Sequence, residues 1–289
     1  LTVERILKGE LFAAEIKDRI RGEIGVFQKK YKMTPALCVI QLTKDPCFSV
    51  YQSAQKKCAE SLGITVTCED LSSFPLDRQK KKIRALSRNR KVQGMIVQMP
   101  IPDKTVQREI LSCVAPEKDI EGVTPYNQGL LFSGQEQFVS PTALAGFRMV
   151  QSLALPLKGK EVVIVGHSAL VGKPLAMLFL KELATVTLCH IGTYERETLS
   201  EHIQRAEILC VAVGKAHLIQ GEWIKKGAVV IDIGINKSAQ GITGDVDFLK
   251  AQERAAYITP VPGGVGPFTT AIVFENLMKA VRLQHGGSR

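Results

Sequence analysis

Long apolar runs are missing from this 289-residue chain: no stretch reaches 18 apolar residues, so no membrane-spanning helix is expected, and the first residues carry no signal-peptide pattern. Internal repeats and low-complexity tracts are missing too, which sets aside solenoid and disordered classes. Aromatics make up only 6% of the residues, and none interrupts the densest basic cluster, Lys80-Lys81-Lys82 with Arg84, Arg88, Arg90 and Lys91. Without aromatic interleaving or a reading motif no nucleic-acid partner is expected, and the cluster reads first as a solvated helix face. The seven cysteines show no metal-like pairing, so no metal site is expected. Their odd number suits reduced thiols and a cytoplasmic protein, with the mitochondrial matrix as the alternative.

What is present is a chain long enough for two ordinary domains, 45% hydrophobic and 23% charged, with 38 Lys+Arg against 28 Asp+Glu. The net charge of +10 suits an anionic small ligand as well as it suits solvation.

Apolar runs at 36–42, 64–68 and 95–99 alternate with helical stretches at 50–62 and 76–86, the pattern of parallel βα units. Ser140-Pro141-Thr142 offers an N-cap and an N1 proline for a helix to about Leu153. A second series follows, with strands expected at 161–165, 185–189, 208–213, 229–233 and 256–258. The expected fold is therefore two-domain α/β, the second domain Rossmann-like, with a cleft between them as the site. Residues 1–139 with a C-terminal helix at 270–285 form the first domain, and 140–269 the second.

Strand 161–165 runs into Gly166-His167-Ser168-Ala169-Leu170-Val171-Gly172, a strand, Gly-rich turn and helix that suit a dinucleotide pyrophosphate at a helix N-terminus. Gly166 gives a tight strand exit, Ser168 a hydroxyl and Gly172 close approach, although the spacing departs from G-x-G-x-x-G and a plain structural turn fits it equally. Val213-Gly214 and Gly234-Ile235 lie at further strand ends where the chain could pass a cofactor. The usual ribose-binding acid is missing after the second strand, where Cys189-His190-Ile191 stands, so NAD and NADP both remain open. The run from Thr259 to Thr270, rich in Pro and Gly and ending Phe268-Thr269-Thr270, reads as a ligand-facing loop before a helix, with a plain turn as its alternative.

Gly94-Met95-Ile96-Val97-Gln98-Met99-Pro100-Ile101-Pro102, Pro116-Glu117-Lys118-Asp119-Ile120-Glu121-Gly122, the Gly166 turn, Gly244-Asp245-Val246-Asp247 and the loop 259–270 occur in one order. In these pieces the sequence resembles the methylenetetrahydrofolate dehydrogenase/methenyltetrahydrofolate cyclohydrolase family over nearly its whole length. The resemblance implies a tetrahydrofolate derivative in the first domain, NADP or NAD in the second, and a homodimer. It implies catalytic positions at Tyr51, Gln55, Gln98 and Glu121, and cofactor contacts at Gly166, His167, Ser168, Gly172, Val213, Gly214, Gly234, Ile235 and Thr269.

Three departures matter. The family's lysine four residues after the tyrosine is Gln55 here, and Lys56 points about 100° away on a helix. An amide neither accepts nor delivers a proton near neutral pH. Glu121 replaces the family's aspartate, and His167 and Ile191 replace its arginine and serine. The expectation is a methylenetetrahydrofolate dehydrogenase with impaired or absent cyclohydrolase activity. The alternatives are a fully bifunctional enzyme, with Gln98 and Glu121 placing water, and a noncatalytic folate- or nucleotide-binding subunit.

Overall fold

The alternating runs fold into two separate parallel sheets, each in its own unit. The computed structural model describes residues 5–43, 48–101, 103–238 and 241–285, with the side chains of 48–52 and 238 outside that description. One unit comprises Ala14–Val139 with Thr270–Arg289, the other Leu1–Ala13 with Ser140–Thr269. The first unit holds most of α1 (Gly9–Tyr31), then β1 (Ala36–Gln41), α2 (Phe48–Leu62), β2 (Thr65–Asp70), α3 (Leu76–Arg88), β3 (Gly94–Val97), α4 (Lys104–Leu111) and α5 (Pro125–Phe132). The second holds α6 (Pro141–Gln151), β4 (Glu161–Val165), α7 (Gly172–Lys181), β5 (Thr185–Cys189), α8 (Ile191–Glu195), α9 (Leu199–Arg205) and β6 (Ile208–Val211). Then come β7 (Val229–Asp232), the hairpin β8 (Asn236–Ser238) and β9 (Gly241–Thr243), α10 (Phe248–Arg254), β10 (Tyr257–Ile258) and the start of α11 (Val265–His285), which from Thr270 onward belongs to the first unit.

In the first unit the sheet order is β2-β1-β3, all parallel, with Leu37 opposite Gly94 and Ala36 opposite Thr65. Leu37, Cys38, Val39 and Ile40 are all buried, so both faces of the central strand are covered, as parallel sheets require. A parallel bridge between Met95 and Asp119 carries the order one step past β3. Glu121 lies in the tight turn that follows this bridge, closed by Gly122 N donating to Asp119 O at 3.1 Å. Local chemistry sets the helix starts: Asp103 accepts from Thr105 N (2.7 Å) and Val106 N (3.1 Å) to cap α4. Thr124 accepts from Asn127 N to cap α5, whose first residue is a proline.

The second unit has the strand order β10-β7-β6-β4-β5, parallel throughout. Val163, Val165, Leu209, Val211 and Val230 pack with Ile203, Ile219 and Ala251 into its core. After β4 the chain places β5 on one side and then returns to place β6 on the other. The C-terminal ends of β4 and β6 thus form the point where strand order reverses, which is where open α/β sheets hold ligands.

Three expectations need correction. Residues up to Ala13 belong with the second unit, not the first, because Leu7 N donates to Ile258 O and Gly9 N to Gly263 O (both 2.8 Å), and Ile6 bridges Ile258. The last helix starts at Val265, five residues before Thr270, since Gly266 and Pro267 are tolerated in a first turn whose N–H groups have no helical partner. Ser140 precedes α6 as expected, but its side chain makes no capping hydrogen bond. Among the described residues no helix is long and apolar enough to cross a membrane.

Candidate active site

The Gly-rich turn after β4 is tight for a physical reason. Gly166 has φ +116°, and a Cβ there would overlap the Ala212 carbonyl, so the ends of β4 and β6 can approach closely only with glycine. A Cβ on Gly172 would overlap the Gly166 carbonyl, so the turn folds straight back onto the first residue of α7. Ser168 Oγ accepts from Val171 N at 3.0 Å, and the exposed His167 ring lies 5.3 Å from that of His190. His190 is itself engaged: its Nδ1 accepts from Gly192 N to cap α8.

At the end of β6, Val213 and Gly214 are exposed, but their N–H groups are already used. Asp245 Oδ2 accepts from Val213 N (2.7 Å) and Gly214 N (2.9 Å), and its Oδ1 from Lys215 N and Asn236 Nδ2 (both 2.8 Å). Asp232, at the end of β7, accepts from Gly234 N and Asp245 N (both 3.1 Å) and from Val246 N (2.9 Å). Thr259 Oγ1 accepts from Asp232 N (2.8 Å), which ties the start of the Pro/Gly-rich loop to β7. Burial pushes the Asp232 carboxyl up to about 7, against the lowering effect of its backbone donors.

Gly166, Val213, Gly214, Gly234 and Ile235 therefore come together at the ends of β4, β6 and β7, beside the first turn of α7. Gly214, at φ +69°, has open space where a Cβ would stand, so a ligand can approach its Cα; Ile235 is exposed. Thr269 does not present a free hydroxyl: it is buried inside α11 and donates to Val265 O at 3.1 Å. The two aspartates that hold this crevice are not among the site residues expected from the sequence. Asp245 lay in view within Gly244-Asp245-Val246-Asp247, but its donors come from about 30 residues upstream.

In the first unit Tyr51 falls within α2, but its side chain lies outside the described residues. Gln55 is 2% exposed, whereas Lys56 and Lys57 are exposed, so neither lysine shares its buried side of α2. Among the described residues Gln55 Nε2 and Gln98 Oε1 are buried without a hydrogen-bond partner, one donor and one acceptor left to a ligand or water. Gln98 N donates to Ile40 O (2.9 Å), which fixes it at the end of β3 next to β1.

The loop carrying Glu121 is held on three sides. Asp119 accepts from Val123 N (3.1 Å), Thr124 N (2.8 Å) and Asn127 Nδ2 (2.8 Å). Gly122, at φ +64°, lies against the Phe138 backbone, and buried Asn276 donates to Ile120 O (2.8 Å) and Val139 O (3.2 Å). Desolvation, with the neighbouring Asp119 carboxylate adding, raises the Glu121 pKa to about 8.

A reversed-order parallel sheet with a glycine turn feeding a helix defines a dinucleotide-binding α/β protein, here joined to a second unit with buried unpaired amides and a protonatable glutamate. The crevice fits the dinucleotide: its crowding is all protein backbone at Gly166 and Gly172, and its open position is Gly214. The family model for the tetrahydrofolate dehydrogenase/cyclohydrolase catalytic domain matches residues 7–121, and the model for the NAD(P)-binding domain of the same family matches residues 140–285. The chain belongs to this family. It is an NAD(P)-dependent methylenetetrahydrofolate dehydrogenase, with a tetrahydrofolate derivative as substrate.

A Wolinella succinogenes protein named bifunctional protein FolD is 40% identical over 280 residues, 96% of this chain and 97% of that one. The bifunctional methylenetetrahydrofolate dehydrogenase/cyclohydrolase from Campylobacter jejuni superposes with a TM-score of 0.89 at 34% identity, covering 96% of this chain and 98% of its own. The Trypanosoma brucei enzyme, solved with NADP and an inhibitor, also gives 0.89, at 30% identity, over 96% of this chain and 97% of its own. These full-length relatives overturn the expectation, built on Gln55, of impaired or absent cyclohydrolase activity.

Proposed function

We propose that the chain catalyses both steps: oxidation of 5,10-methylenetetrahydrofolate and hydrolysis of the methenyl product to 10-formyltetrahydrofolate. The bifunctional relatives support the pair of activities, and the observation within the chain that carries it is the buried pair Gln55 Nε2 and Gln98 Oε1, a donor and an acceptor left to a ligand or water; the half-buried Glu121 carboxyl, raised by desolvation to about 8, suits proton transfer near neutral pH.

Bound NAD(P) supplies the acceptor for the hydride leaving the methylene carbon. The chain's part in that step is placement: the Gly166–Gly172 turn and the first turn of α7 receive the pyrophosphate, with the Ser168 hydroxyl still free to donate. Val213, Gly214 and Gly234 contribute shape, since Asp245 and Asp232 hold their N–H groups. Ile235 gives an apolar wall. His167 stands where it can meet a phosphate or the ribose.

For hydrolysis, Gln98 Oε1 and Gln55 Nε2 offer an acceptor and a donor to the pterin or to water, and the family resemblance gives Tyr51 the role of stacking on the pterin. Water adds to the methenyl carbon and gives its proton to ionised Glu121. As the bond from that carbon to N5 breaks, a proton returns to N5, and one proton is released overall. Glu121 also recognises the pterin nitrogens. A homodimer is the assembly proposed, on the family resemblance.

Incubation of the protein with methylenetetrahydrofolate and NADP or NAD tests this. Reduced cofactor and 10-formyltetrahydrofolate should form together. Accumulation of the methenyl compound, with 10-formyl product appearing only at the uncatalysed rate, would overturn the two-step reading while leaving the dehydrogenase in place.

A further inference from the structure

One feature the two folate steps leave unexplained is a cavity of about 900 Å³ in the first unit, lined by the C-terminal end of α3, the segment 112–118 and the last turn of α11. Its charge is one-sided. Arg84, Arg88, Arg90 and Lys118 face it with His285, against the single carboxylate of Glu117. Among the described residues none of the three arginines forms an ion pair. The helix macrodipole accounts for one cation at the end of α3. It does not account for Arg84 and Arg88 one turn apart, which repel each other.

Lys118 is the second observation. It is 4% exposed, unlike a solvated surface lysine, and among the described residues its Nζ has one protein partner, Asn89 O at 2.7 Å. An ammonium has three N–H donors, so two remain to be satisfied in the wall of the cavity. Desolvation lowers its pKa, an unfavourable burial that an anion beside it would offset. Guanidinium groups bind carboxylates and phosphates through paired hydrogen bonds.

The cavity is also separate from the candidate catalytic groups. Arg88 and Arg90 precede β3 and Gln98 follows it, so the two lie at opposite ends of a strand roughly 13 Å long. In the neighbouring segment Lys118 precedes the bridge from Asp119 to Met95, and Glu121 follows it.

We propose that this cavity is a binding site for a compact polyanion, one that presents several phosphate or carboxylate oxygens to Arg84, Arg88, Arg90 and Lys118. The site is built independently of the nucleotide crevice and of the groups proposed for the two folate steps.

Isothermal titration of the whole protein with inorganic triphosphate and, separately, with citrate at physiological salt tests the proposal. Saturable binding of one equivalent is expected for at least one of them, and the tighter ligand identifies phosphate or carboxylate chemistry. The Arg84→Glu/Arg88→Glu variant should bind at least about ten-fold more weakly, whereas Lys225→Ala/Lys226→Ala, altered at exposed lysines of the other unit, should bind as the unsubstituted protein does. Both variants should retain dehydrogenase activity without added anion, which reports their folding. Hydrogen exchange on the unsubstituted protein gives a reading that needs no variant: the anion should protect residues 84–90 and 115–118. Non-saturable binding, equal weakening in both variants, no protection at those segments, or preferential binding of single-stranded RNA over both small anions would overturn the proposal.

Discussion

Asp232 Oδ1 lies 3.1 Å from the backbone nitrogen of Asp245, so one buried carboxylate sets the position of another. Asp245 in turn gathers the amides of Val213, Gly214 and Lys215, and through this pair β7 fixes the loop that follows β6. Asp245→Asn keeps the size of the side chain but turns an NH2 group toward backbone donors. Loss of about 1–3 kcal/mol in denaturant unfolding is expected, with a higher KM for NAD(P) and a smaller change in the KM for folate. An unchanged cofactor KM would show that the loop is held by other means.

Gly172→Ala tests the turn. The added methyl must displace the Gly166 carbonyl, a backbone atom that cannot swing aside, so the turn or the start of α7 has to move. Weaker NAD(P) binding and a lower melting temperature are expected by fluorescence titration and calorimetry. Gly214→Ala meets no neighbouring atom in the protein, so its cost comes from the φ of +69° and is expected to be about 1 kcal/mol.

Asn276→Leu removes the donor that joins Ile120 O to Val139 O, leaving two buried carbonyls without it. Destabilisation of about 2–4 kcal/mol is expected from denaturant curves, with a raised KM for the folate substrate because Ile120 precedes Glu121. A variant with normal stability would show that those carbonyls find water.

The alternation of strands and helices was legible because buried parallel strands such as Val162 to Val165 are uninterrupted apolar runs bounded by turn residues. The positions of Gly166 and Gly214 were legible for the same local reason. The place of the segment up to Ala13 is not legible in the sequence because its partners, Ile258 and Gly263, lie some 250 residues away, and no local pattern encodes that pairing. Thr269 looks like a ligand-facing hydroxyl in the sequence because it stands just before an apolar helical run, whereas the helix starts at Val265 and absorbs it. Gln55 misleads because a sequence displays the missing charge at one position but not the full set of groups that the fold gathers around the substrate. Asp232, Asp245 and Asn276 act through bonds to distant backbone, invisible until the chain is folded.

Stability should depend on pH in a defined direction. The folded-state pKa values of Glu121 and Asp232, about 8 and about 7, lie above their ordinary values of 4.5 and 3.8, so the folded chain holds protons that the unfolded chain has released. Their contribution is fully present below about pH 4 and is lost as pH rises through 7 and 8, with a slope of up to about 1.4 kcal/mol per pH unit for each group. Glu121→Gln should flatten the upper part of this decline in denaturant unfolding measured from pH 5 to 9. An unchanged slope would mean that Glu121 titrates normally.

The most direct measurement is hydrolysis of methenyltetrahydrofolate, without NAD(P), by the unsubstituted protein and by Glu121→Gln between pH 6 and 9, each corrected for the uncatalysed rate. The unsubstituted protein should show saturable turnover that rises through an apparent pKa near 8, as the carboxylate becomes free to accept the water proton. Glu121→Gln should lose that limb, with kcat lower by about 10²–10⁴-fold. Equal rates and the same pH limb in both proteins would contradict the role given to Glu121, and hydrolysis at the uncatalysed rate by the unsubstituted protein would contradict the two-step function itself.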